Sequence, residues 1–117
     1  MTLFEQRTQG LYTFLAPDFI YAEVANAVLK YYRSKRFDLD DTKLLLDTFV
    51  AVPIRLFSAS DLMFDAYTIA IQHTRSVYDS LYIALAQREN TTFVTADEKL
   101  YNAVSSALPV TFLAHWQ

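Results

Sequence analysis

The chain has 117 residues, 53% of them hydrophobic and 20% charged, with a net charge of −3. That length supports one domain (residues 1–117) with a real core, and the composition is too apolar for a disordered chain. Cysteine is absent, glycine occurs once and histidine twice, which excludes disulfides, thiolate metal sites, glycine-rich phosphate loops and a three-histidine zinc site.

The predicted elements alternate. Residues 11–16 (LYTFLA) form a short apolar run closed by Pro17 and read as a buried strand. Pro17 is placed to open a helix that runs to about Arg36, where Lys30, Arg33, Lys35 and Arg36 suit a helix C-terminus. Asp40 or Asp41 caps a second helix through TKLLLDTFVAV, stopped by Pro53. Residues 54–57 (IRLF) form a strand, and Ser60 and Asp61 start a helix to about Thr74. Ser76 caps the helix VYDSLYIALAQRE, with Asp79 at capping-box spacing. Residues 92–95 (TFVT) form a strand, Thr95 and Glu98 make another capping-box pair, and VTFL after Pro109 is the last strand. Strands alternating with helices argue an α/β fold with a parallel sheet, and their unbroken apolar character argues a sheet covered on both faces.

Three carboxylates stand out. Glu23 lies on or beside the apolar stripe Ile20, Val24, Ala27, Val28, Tyr31, where a lone charge is costly. Asp79 begins the most apolar helix of the chain. Asp97 follows TFVT one residue on, after Ala96, at the strand end where open α/β sheets bind ligands. Each has a plain alternative: a boundary residue reaching to water, a capping-box acid, and an acid at a helix start. Taken together, carboxylates at one edge repel each other, and a hard divalent cation, Mg²⁺ or Mn²⁺, relieves that repulsion. Such sites activate water for phosphodiester cleavage.

The blocks APDFIYAEVANAV, SVYDSLYIALA and TFVTADEKL, in that order, resemble a PIN domain, in particular the toxin ribonucleases of VapBC-type toxin–antitoxin pairs. The resemblance covers about residues 11–113. It implies a Rossmann-like, three-layer α/β/α fold and a magnesium-dependent endoribonuclease. It implies that Glu23, Asp79 and Asp97 are metal ligands and that Thr95 supports the last acid. It also implies a homodimer, an RNA substrate and an antitoxin protein partner. PIN domains open with a central strand that ends in Asp, and this chain shows no such segment. The expected fold is therefore N-terminally truncated, with a weak or partial metal site and poor RNA cleavage. Self-association is expected to cover the unpaired strands at residues 11–16 and 93–95. The alternative is a non-catalytic PIN-like module acting through protein association; a third reading is an unrelated α/β domain with ordinary caps.

Other residues have two readings each. The cations of residues 30–36, with Tyr31 and Tyr32, suit RNA phosphates and bases or a solvated helix end. Arg75 suits a phosphate or a nearby acid. Tyr67, Tyr78 and Tyr82 suit core or dimer surface, and His73 the surface. His115 and Trp116 form an exposed or packed tail. The segment MTLFEQR lacks the basic flank and apolar run of a signal peptide, and residues 100–117 are too polar for a membrane span. A cytoplasmic protein is expected.

Overall fold

The computed structural model describes residues 2–8 and 11–115, with side chains from residue 13. The chain falls into two compact units, residues 19–53 and the remainder.

The larger unit holds a five-stranded sheet in the order β3-β2-β1-β4-β5. Its strands are β1 (Thr2–Thr8), β2 (Leu11–Pro17), β3 (Ile54–Phe57), β4 (Thr92–Thr95) and β5 (Val110–Phe112). β2 pairs parallel to β3, and β4 parallel to β5. β1 lies between them, antiparallel to both β2 and β4. The four strands read from the sequence thus share one direction.

β1 corrects the expectation of a missing central strand. Residues 2–8 occupy the middle of the sheet and pair with residues 11–15 on one side and 92–95 on the other. The unpaired edges from which self-association was argued are therefore filled. The sequence gives little warning of this. TLFEQRT has only two adjacent apolar residues, and its pairing comes from the two open strand edges beside it rather than from its own pattern.

Three helices complete this unit: α3 (Ala59–His73), α4 (Val77–Arg88) and α5 (Glu98–Val104). α4 is the spine. Residues 80–86 are buried without interruption, which is why the helix is apolar nearly all round. It packs against α3, β2 and β4. Tyr82 stacks flat on Phe93 of β4, centroids 5.1 Å apart, so Tyr82 is a core residue. Tyr67 and Tyr78 are exposed instead. α3 buries Leu62, Ala66 and Ile69, spaced four and three residues apart as a helix face requires. β3 is a sheet edge with Arg55 and Leu56 exposed. It is therefore not covered on both faces, and its charged Arg55, set over the Phe57 ring at 5.0 Å, suits an edge that must not recruit another strand.

The smaller unit contains two helices, α1 (Ile20–Arg33) and α2 (Leu39–Val50). Tyr21 of α1 meets Phe49 of α2 edge to face, 5.6 Å between centroids. α1 starts at Ile20 rather than at Pro17, which ends β2. α2 is capped by Asp38, not Asp40 or Asp41: the Asp38 carboxylate accepts from Asp41 N–H at 2.8 Å, and the Asp41 carboxylate accepts from Asp38 N–H at 3.2 Å. This is an acidic version of the capping box. Among the described residues, no helix is long and apolar enough to cross a membrane.

Candidate active site

Asp79 sits in the first turn of α4, in YDSLYIALA. The Ser76 hydroxyl accepts from the Asp79 backbone N–H at 3.0 Å and caps the helix, as the spacing predicts. The Asp79 side chain is half-buried. Burial pushes its carboxyl above the ordinary value of 3.8. A hydrogen bond with Ser76 pulls it back, the negative charge of Asp97 pushes it up again, and the positive charge of Arg75 lowers it. The desolvated carboxylate is thus disfavoured and the neutral acid favoured.

Asp97 is exposed and begins α5. It is the N-cap itself, its carboxylate accepting from Leu100 N–H at 3.0 Å. This displaces the expected Thr95–Glu98 box. The Thr95 hydroxyl instead accepts from the Asp97 N–H at 3.0 Å. Thr95 is almost fully buried at the end of β4, so a rigid strand end fixes the start of the next helix. Asp79 and Asp97 therefore stand at the N-termini of two helices and feel each other's charge.

Arg75 is anchored locally. Its Nε donates to the carbonyls of Thr74 at 2.9 Å and His73 at 3.3 Å. That leaves its charge acting on Asp79. Thr74 itself ends α3 in the left-handed region, φ 53°. His73 is half-buried rather than at the surface.

Glu23 lies in the first turn of α1, half-buried. Of its stripe, Ile20 and Val24 are buried and Val28 half-buried, while Ala27 and Tyr31 are exposed. Glu23 belongs to the smaller unit, Asp79 and Asp97 to the larger. Among the described residues, no three carboxylate, thiol or imidazole side chains gather as a metal-binding group.

The central strand adds no carboxylate at the Asp97 edge. Its register sets Thr2 opposite Thr95, and its one acid, Glu5, opposite Thr92 at the far end of β4. An antiparallel strand brings its N-terminus, not its C-terminus, to the edge where its neighbours end. The donor set of the sheet unit is thus two carboxylates with all-oxygen chemistry. It fits a hard cation and does not fit a soft one.

Sequence reasoning missed one residue of this region. Ser80, next to Asp79, is fully buried, and its hydroxyl has no hydrogen-bond partner among the described residues. Nothing in a lone serine inside an apolar helix announces that.

The helix with Asp79 and the strand with Thr95 carry the two most specific blocks of the chain. A ribonuclease VapC3 from Pyrobaculum aerophilum is 29% identical over 80 residues, 67% of this chain. The chain spans about 61% of that relative's length. The family model described as PIN domain matches residues 3–105, across α1 to α5 and the strands between them. With YDSLYIALA buried as α4 and FVTAD turning from β4 into α5, the chain belongs to the PIN domain family.

Proposed function

We propose that this protein is a divalent-metal-dependent endoribonuclease of toxin type with a reduced ligand set. The observation that supports it best is the Asp79–Asp97 pair. Two acids at neighbouring helix starts, one desolvated and each adding to the other's charge, cost stability unless a cation joins them. Mg²⁺ or Mn²⁺ there would activate water and stabilise the leaving oxygen of an RNA phosphodiester. Asp79 and Asp97 would hold it, and Thr95 keeps Asp97 in place by accepting from the Asp97 N–H. Arg75, already tied to its own turn, offers a fixed positive charge beside the acids for a phosphate.

Turnover at such a site is weak. Mg²⁺ gives up water reluctantly and needs near-octahedral oxygen ligation. A central strand without an acid at this edge leaves the site short of charge. The test is Mn²⁺- and Mg²⁺-dependent cleavage of single-stranded RNA, with Asp79→Asn and Asp97→Asn as controls. Slow cleavage abolished in both variants supports the proposal. Cleavage unaffected by either variant rejects it.

One further observation favours association with protein as well. α3 exposes Met63, Phe64 (79%), Tyr67 and Ile71 (65%), an apolar stripe on the side away from Leu62 and Ala66. Such a stripe suits a homodimer or an antitoxin helix. Sedimentation should show self-association that Phe64→Glu disrupts; a monomer at high micromolar concentration counts against a homodimer.

A further inference from the structure

The turn that joins α1 to α2 concentrates positive charge. Four of the chain's 10 cations (Lys30, Arg33, Lys35 and Arg36) fall within seven residues that contain no acid, leaving six cations against 13 acids elsewhere. The turn also exposes three aromatic rings, Tyr31, Tyr32 and Phe37.

The backbone explains their arrangement. Ser34 is the C-cap of α1. Lys35 N–H donates to the Tyr32 carbonyl at 3.0 Å, and Arg36 N–H donates to the Tyr31 carbonyl at 3.1 Å. This is a Schellman turn, and its left-handed position is taken by Lys35, φ 63°, where glycine is usual. The turn folds Arg36 back over the Tyr31 ring, 5.7 Å from its centroid, with Phe37 5.6 Å from Tyr31 on the next residue. Arg36 and Tyr31 are thus engaged with each other. Tyr32, Arg33, Lys35, Phe37 and Asp38, all exposed, line an open surface cavity of about 400 Å³. The Asp38 carboxylate is committed to capping α2. No ion pair ties Arg33 or Lys35 among the described residues.

We propose that this cavity is an RNA-binding site separate from the carboxylates, holding one nucleotide of a single strand. Arg33 and Lys35 take its phosphate, and Tyr32 and Phe37 take its base. A helix C-terminus favours cations but does not require exposed aromatics beside them. Cations and exposed rings lining one cavity are what an unpaired nucleotide needs, since only an unstacked base offers its face to a side chain. A lysine held in the left-handed position costs stability that a glycine would not, which is consistent with its charge being retained for a ligand. The site deepens the ribonuclease reading, on which it rests, by supplying a hold on substrate.

The experiment measures binding without cleavage. A fluorescein-labelled 12-nucleotide single-stranded RNA is titrated in EDTA by anisotropy, with Asp79→Asn as the background so that turnover plays no part. Arg33→Gln with Lys35→Gln should weaken binding at least 10-fold. It should also flatten the log K against log[salt] slope by about 0.7, the value for one lost phosphate contact. Phe37→Ala should weaken binding about five-fold or more with the slope unchanged. Lys35→Gly removes the charge while relaxing the turn, so a loss of binding there cannot come from unfolding. Unchanged affinity in the Arg33/Lys35 pair, or no binding at 50 mM salt, overturns the proposal. So does a polyglutamate peptide competing as well as RNA, which would assign the patch to a protein. Binding that persists while metal-dependent cleavage fails sinks the nuclease reading alone.

Discussion

The Thr95 hydroxyl accepts a hydrogen bond from the backbone N–H of Asp97 at 3.0 Å. A buried strand end thereby sets where an exposed acid begins its helix, and the acid in turn caps that helix through Leu100. Thr95→Val keeps the shape and removes the acceptor. Stability should drop by about 1 kcal/mol in urea unfolding, and Mn²⁺ affinity should fall with it, while Thr95→Ser restores both. A valine variant with unchanged metal affinity would show that Thr95 is structural only.

The raised pKa of Asp79 has a defined effect on stability. The folded protein holds this proton more tightly than the unfolded chain does, so ionisation works against folding. Below pH 3.8, the ordinary value, the group costs nothing. As pH rises through 3.8 toward the raised value, stability is lost, and it then levels off. In EDTA, Asp79→Asn should match the wild type near pH 3 and exceed it at pH 7 by urea unfolding. Added Mn²⁺ should reverse that order at pH 7. A difference independent of pH would mean that Asp79 is not desolvated.

Two substitutions near the site test the packing without touching the acids. Ser80→Ala removes a buried hydroxyl that has no partner among the described residues and should stabilise by up to about 1 kcal/mol. A loss above that size would reveal a hydrogen bond made by Ser80. Thr74→Gly relieves a β-branched residue from φ 53° and should add about 1 kcal/mol. The Arg75 anchor survives because it uses the Thr74 carbonyl. Thermal melts resolve both.

Much of the sheet unit is legible in the sequence. Ser76 caps α4 as its spacing predicts, IRLF and TFVT are strands with the predicted bounds, and α4 is buried as its composition requires. What failed was chemistry decided by a neighbour. Asp97 takes the cap from Thr95 because a carboxylate is a good cap and the Thr95 hydroxyl is already receiving the Asp97 N–H. Asp38 takes the cap from Asp40 and Asp41 because α2 begins at Leu39. The central strand was invisible because TLFEQRT has no period of its own and pairs only where β2 and β4 leave a gap. At the site, Asp79 and Asp97 were legible as acids in apolar blocks; their electrostatic coupling needed the fold, since α4 and β4 lie side by side only there.

The central claim is that Asp79 and Asp97 hold one divalent cation between them. Isothermal titration of Mn²⁺ into the wild type, Asp79→Asn and Asp97→Asn tests it most directly, because it reads the site without requiring turnover. The expected result is a single weak site, with affinity reduced at least 10-fold in each variant. Equal affinity in all three proteins, or no saturable binding in the wild type at millimolar Mn²⁺, would contradict it.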